Sequence, residues 1–133
     1  MGLDNGIIAR KSSNEKVNAK LLALNTHTYS EGDHEIAYWR KCWNVRGAIA
    51  EVIGGICDNG ETPLMYEDII AVIKRLKQFN KKNWSGSCWD EGSIWDWDEI
   101  KKSHRGCIKR LEKLARLIKK HPGEIDVYFY DSY

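Results

Sequence analysis

The segment Tyr38-Trp39-Arg40-Lys41-Cys42-Trp43-Asn44 packs three large aromatics, two cations and an amide into seven residues. An arginine forks onto a phosphate or carboxylate, an aromatic face stacks a base, and an asparagine fixes a polar edge. If the segment is helical, Trp39 and Trp43 share one face, as do Arg40 and Asn44. Two readings stay open. In one, Trp39 and Trp43 are core and Arg40 and Lys41 are solvated. In the other, Tyr38, Arg40, Lys41 and Asn44 line a cleft that grips an anion, with Asp4 orienting Arg40 or capping the nearby helix.

A second concentration lies between Trp84 and Trp97, where Trp84, Trp89, Trp95 and Trp97 are interleaved with Asp90, Glu91, Asp96 and, just beyond, Asp98 and Glu99. Such a loop either folds its rings over the core while its acids cap the next helix, or offers aromatic surface to a partner. Trp89, Trp95 and Trp97 are the binding candidates. A sugar site is a further reading, with Asp90, Asp96 or Asp98 as acid or base. His104 and Cys107 are three apart, but both fall on an apolar stripe and no second close-spaced pair accompanies them, so no metal is expected. Asp58-Asn59-Gly60-Glu61 lacks the alternating ligands of a calcium loop and reads as a turn. No phosphate loop, nucleophile elbow or dinucleotide fingerprint is present. Neither a catalytic residue nor a cofactor is therefore assigned.

The elements that must position these residues are legible in part. Ile7 to Arg10 reads as a short strand, and residues 14–25 fit a weak helix or a hairpin. Residues 34–38 begin extended. Trp39, Cys42, Trp43, Ile49, Val52, Ile53 and Ile56 then recur at helical spacing, which predicts a helix over 39–56. Ile69, Val72, Ile73, Leu76 and Phe79 predict another over 66–80, with Pro63 as punctuation before it. Residues 81–94 read as an irregular loop. In the last helix Ile100, His104, Cys107, Leu111, Leu114 and Ile118 follow 4-3-4-3-4 spacing. Asp96 and Glu99 suggest its capping box, and Pro122-Gly123 its stop. Asp126 to Tyr130 is a strand by composition. The expected fold is α+β: a small antiparallel sheet, with N- and C-terminal strands pairing, packed against three to four helices.

The chain has 133 residues, enough for a single domain over 1–133 with its own core. No apolar run approaches a membrane span, and Gly6 to Ala9 is too short for a signal-peptide core, so the expected location is cytoplasmic, with no membrane partner. Its four cysteines then read as free thiols. The net charge is only +2, yet residues 101–133 carry nine cations against four acids. Lys101, Lys102, Arg105, Lys109, Lys113, Arg116 and Lys120 form a basic helix face, which reads first as solvated and second as a nucleic-acid surface.

Three motifs occur together: the opening Met1-Gly2-Leu3-Asp4, the block Ala37-Tyr38-Trp39-Arg40-Lys41, and the run Asp90-Glu91-Gly92-Ser93-Ile94-Trp95-Asp96-Trp97. This combination resembles a family of small proteins from bacteriophages and bacterial mobile elements. The resemblance covers most of the chain outside residues 11–33. Where relatives carry a histidine and an aromatic farther along the helix, this chain has Arg46 and Ile49. The resemblance implies a phage or prophage gene product acting inside the host bacterial cell, but it supplies no activity. The function expected is binding: of a host protein, or of a small anionic, nucleotide-like ligand, in an accessory and anti-defence role. A homo-oligomer is compatible with it. The alternatives are a small enzyme acting on a nucleotide or glycoside through the acids of the Trp-rich segment, and a nucleic-acid-binding module using the last helix.

Overall fold

The computed structural model describes residues 4–28, 32–40, 42–56, 59–84 and 96–132. Its elements run β1 (Asp4–Ala9), α1 (Glu15–Leu24), β2 (His27–Thr28), β3 (His34–Arg40), α2 (Trp43–Ile53), β4 (Glu61–Leu64), α3 (Tyr66–Leu76), α4 (Trp97–Lys120) and β5 (Val127–Ser132). The strands form one antiparallel sheet in the order β2-β3-β1-β5-β4. The fold is α+β, and the N- and C-terminal strands pair as expected.

The sheet has two unlike faces. Ile7, Ala37 and Phe129 are adjacent across β1, β3 and β5, and with Ala9, Ile36, Trp39 and Val127 they enter the main core. There they meet Val17 and Leu21 of α1, Val45 and Ile49 of α2, Ile69, Val72 and Leu76 of α3, and Leu111 and Leu114 of α4. The alternate residues Ile8, Tyr128 and Tyr130 form a separate small cluster that, among the described residues, no helix side chain joins.

Local signals set the helix ends. Asn14 caps α1, its Oδ1 accepting from the backbone N–H groups of Lys16 and Val17. Asp96 accepts from Glu99 N while the Glu99 carboxylate takes the Asp96 N–H, so the capping box of α4 is present. Gly54, at φ 81°, ends α2 in the left-handed region that an L side chain avoids.

Three sequence expectations are corrected. The helix predicted over 39–56 starts only at Trp43; Trp39 and Arg40 belong to β3, paired with Asn5 and Asp4. Trp39 and Trp43 therefore share no helix face, and neither do Arg40 and Asn44. The spacing 39-42-43 mimics a helix, but strand pairing overrides it and Tyr38, Trp39 and Arg40 alternate across the sheet. The helix predicted over 66–80 stops at Leu76. Pro63, read as punctuation, sits inside β4 on the sheet edge, where a missing N–H is tolerated. The segment 14–25, left between helix and hairpin, is α1.

Candidate functional site

Gly6 is the centre of the candidate site. It faces Tyr38 of β3 on one side and Tyr130 of β5 on the other. A Cβ at Gly6 would lie 2.6 Å from the Ala37 carbonyl oxygen and 2.8 Å from Tyr130 Cε1. Glycine thus lets the Tyr130 ring cross β1 and donate its hydroxyl to Glu35 Oε2 on β3, at 2.9 Å. One row away, the Tyr38 hydroxyl donates to Asp4 Oδ1 at 2.6 Å. Both phenols are oriented by carboxylates, one buried (Glu35) and one exposed (Asp4).

Helix α4 closes the other side. Among the described residues strand β2 covers β3 only at His34 and Glu35, which leaves later β3 carbonyls on that side without a described strand partner. Arg110 Nε donates to Ile36 O at 2.7 Å, and the Cys107 thiol faces Tyr38 O at 3.6 Å. The helix thus satisfies the edge that a longer strand would otherwise cover. The result is a cavity of about 640 Å³ lined by Asp4, Thr26, Glu35, Tyr38, Ser103, Arg110, Tyr130 and Ser132.

The electrostatics of Tyr38 define what this cavity can do. Burial raises its pKa well above the usual tyrosine value; the hydrogen bond to Asp4 and the charges of Asp4 and Glu35 add to this, and the Arg40 cation opposes it. Tyr38 is therefore a neutral donor at physiological pH, suited to hydrogen bonding and stacking rather than to proton abstraction. Exposed Arg40 follows Tyr38 by two residues on β3, on the same face of the strand, and is the cross-strand partner of Asp4. Neither Arg40 nor Arg110 forms an ion pair among the described residues. One cation, two phenols, three hydroxyls and two carboxylates thus line the cavity, and Arg40 is paired across the sheet with its Asp4.

Of the residues singled out in the sequence, Tyr38 and Asp4 line the cavity and Arg40 lies beside it. Asp4 accepts from Tyr38; it makes no ion pair with Arg40, and the caps of α1 and α4 are Asn14 and Asp96. Asn44 is half-buried in the first turn of α2, beyond the end of β3. Lys41, Trp89, Trp95 and Asp90 lie outside the described residues. Trp97 is elsewhere: its ring packs 5.6 Å from Trp84 and 5.7 Å from His104, against the core. Asp96 is a helix cap, and Asp98 is exposed and pairs with Lys81 and Lys101. These two acids have structural partners, and neither lines the cavity.

His104 and Cys107 do not converge as ligands. Trp39 Nε1 donates to His104 Nδ1 at 3.2 Å, so His104 Nε2 carries the proton and donates to Leu76 O at 2.9 Å. The imidazole is a fixed, neutral tautomer, and burial lowers its pKa. Burial likewise pushes the Cys42 thiol up to about 12. Among the described residues no three His, Cys, Asp or Glu side chains are grouped to hold a metal ion.

Sequence reasoning missed Glu35, Ser103, Arg110 and Tyr130. A usable signal for Tyr130 was Gly6 itself, a glycine entering an apolar strand, which marks close approach by another group. A second cavity of about 720 Å³ beside β4 is lined by Leu64, Met65, Tyr66, Ile118 and Ile125 among others. Its Arg10 is already engaged by Asp33 and Glu61 and stacked 4.3 Å over Tyr128, so the Tyr38 cavity is the better-equipped site. No protein-family model, curated protein or solved structure matches this chain.

Proposed function

We propose that this protein is a phage- or prophage-encoded accessory protein that works inside the bacterial cell by binding. Its ligand is a small anionic molecule of the nucleotide class, seated over Tyr38. Arg40 and Arg110 contact the anion, Tyr38 stacks and donates, and the hydroxyls of Ser103, Thr26 and Ser132 supply polar contacts. One observation carries this reading: Arg110 and a neutral, oriented Tyr38 line a cavity of ligand size, Arg40 lies across the strand from its Asp4, and neither arginine has a carboxylate partner among the described residues.

The test is native mass spectrometry of protein purified gently from a bacterial host, followed by calorimetric titration with nucleoside mono-, di- and triphosphates. An adduct of a few hundred daltons that is lost in Arg40→Ala, with unchanged circular dichroism, is the expected result. A folded Arg40→Ala protein that keeps every interaction of the wild type would sink the proposal. A protein-sized adduct would move the reading to a host protein as the target.

A further inference from the structure

Six cations of α4 (Lys102, Arg105, Lys109, Lys113, Arg116 and Lys120) follow one another at spacings of three, four, four, three and four residues. On a helix that spacing puts them in one stripe, opposite the buried Cys107, Leu111 and Leu114. All six are exposed, and none forms an ion pair among the described residues. The acids near them are engaged elsewhere: Glu112 pairs with Lys77 and Asp98 with Lys81 and Lys101. A helix face that is merely solvated gains by alternating charge sign at these spacings, whereas like charges there repel. Alongside the stripe, Lys20 of α1 joins Lys113, Arg116 and Lys120 around a groove of about 250 Å³ whose lining includes no carboxylate.

We infer that this stripe, with Lys20, binds the phosphate backbone of nucleic acid without reading its sequence. The inference goes beyond the cavity reading and is independent of it. From Lys102 to Lys120 the stripe runs about 27 Å at 1.5 Å per residue. A small anion spans only a fraction of that length, while duplex DNA offers a charge about every 1.7 Å of its axis. A protein partner normally buries an apolar centre, and beside this stripe the groove at Lys20 offers only Leu24 and Leu117. The stripe consists only of Lys and Arg, the side chains that neutralise phosphates, with no Asn or Gln to read adenine, so backbone contact is expected to dominate.

The experiment is fluorescence anisotropy with a labelled, random-sequence DNA duplex, run across a salt series with the full chain. Seven phosphate contacts give a log–log salt slope of about −6, so affinity falls by roughly three to four decades between about 50 and 200 mM salt. The triple variant K109Q/K113Q/R116Q, with helicity checked by circular dichroism, should bind more weakly and bring the slope to about −4. Lys82→Gln, an exposed cation away from the stripe, should bind as the wild type does. Absence of binding at low salt, or a wild-type slope in the triple variant, overturns the inference. Tighter binding of poly-glutamate than of the duplex also overturns it, and points to an acidic protein instead.

Discussion

Asp131 is buried at the end of β5, with its side chain fully covered. Its Oδ2 accepts from Arg46 Nε at 2.6 Å, while among the described residues its Oδ1 has no hydrogen-bond partner. Directly across the β1–β5 ladder, the Oδ1 of buried Asn5 likewise has no partner among the described residues. Compensation of this buried charge therefore depends on Arg46. Removing one member of a buried pair leaves the other charged and unsolvated, so Arg46→Ala should lower unfolding stability by about 3–5 kcal/mol. Urea denaturation checks this; a loss under about 1 kcal/mol would mean the charge is neutralised by another group. Arg46 stood out in the sequence only where the chain departs from the proteins it resembles. Its role did not, because its partner lies 85 positions away and only the fold joins them.

At the scale of elements, the central strand is the constrained one. Gly6→Ala drives a methyl group into the Ala37 carbonyl and the Tyr130 ring. Overpacking of this kind costs about 1–3 kcal/mol. The variant should show a lower melting temperature and a changed near-ultraviolet tyrosine signal as Tyr130 leaves Glu35. Full wild-type stability would mean that β1 can shift without penalty. Elements with strong local signals were readable: α4 through its apolar stripe and capping box, β5 through its Val127-Tyr128-Phe129-Tyr130 composition. The start of α2 was not readable, because Trp39, Cys42 and Trp43 fall by accident at helical spacing. Strand β4 was hidden by Pro63, which only an edge position tolerates. The cavity was half readable: Tyr38 and Asp4 stand out locally, whereas Glu35, Tyr130 and Arg110 meet only through register.

For the molecule as a whole, His104 links three elements: β3 through Trp39, α3 through the Leu76 carbonyl, and α4, on which it sits. Its native pKa lies below the unfolded value of 6.5, first because of burial and further because of Arg105, against the raising effect of the Leu76 carbonyl. Below about pH 6.5 the unfolded chain takes up a proton that the native protein resists, so stability present at neutral pH is lost as pH falls. His34 is shifted in the same direction by burial. Melting temperatures measured from about pH 7.5 down to 5 should fall in the wild type and fall less steeply in His104→Gln. Identical slopes in the two proteins would refute the assignment. The sheet order carries a different consequence, for biosynthesis. Strand β5 lies between β1 and β4, yet the ribosome makes it after every other described element. Until it emerges, β1 pairs with β3 alone, its other edge stays open beside Ile7 and Ile8, and the Tyr130–Glu35 bond has no donor. The nascent chain thus exposes one open edge of an apolar strand until β5 emerges, and the closing of the sheet waits for that strand.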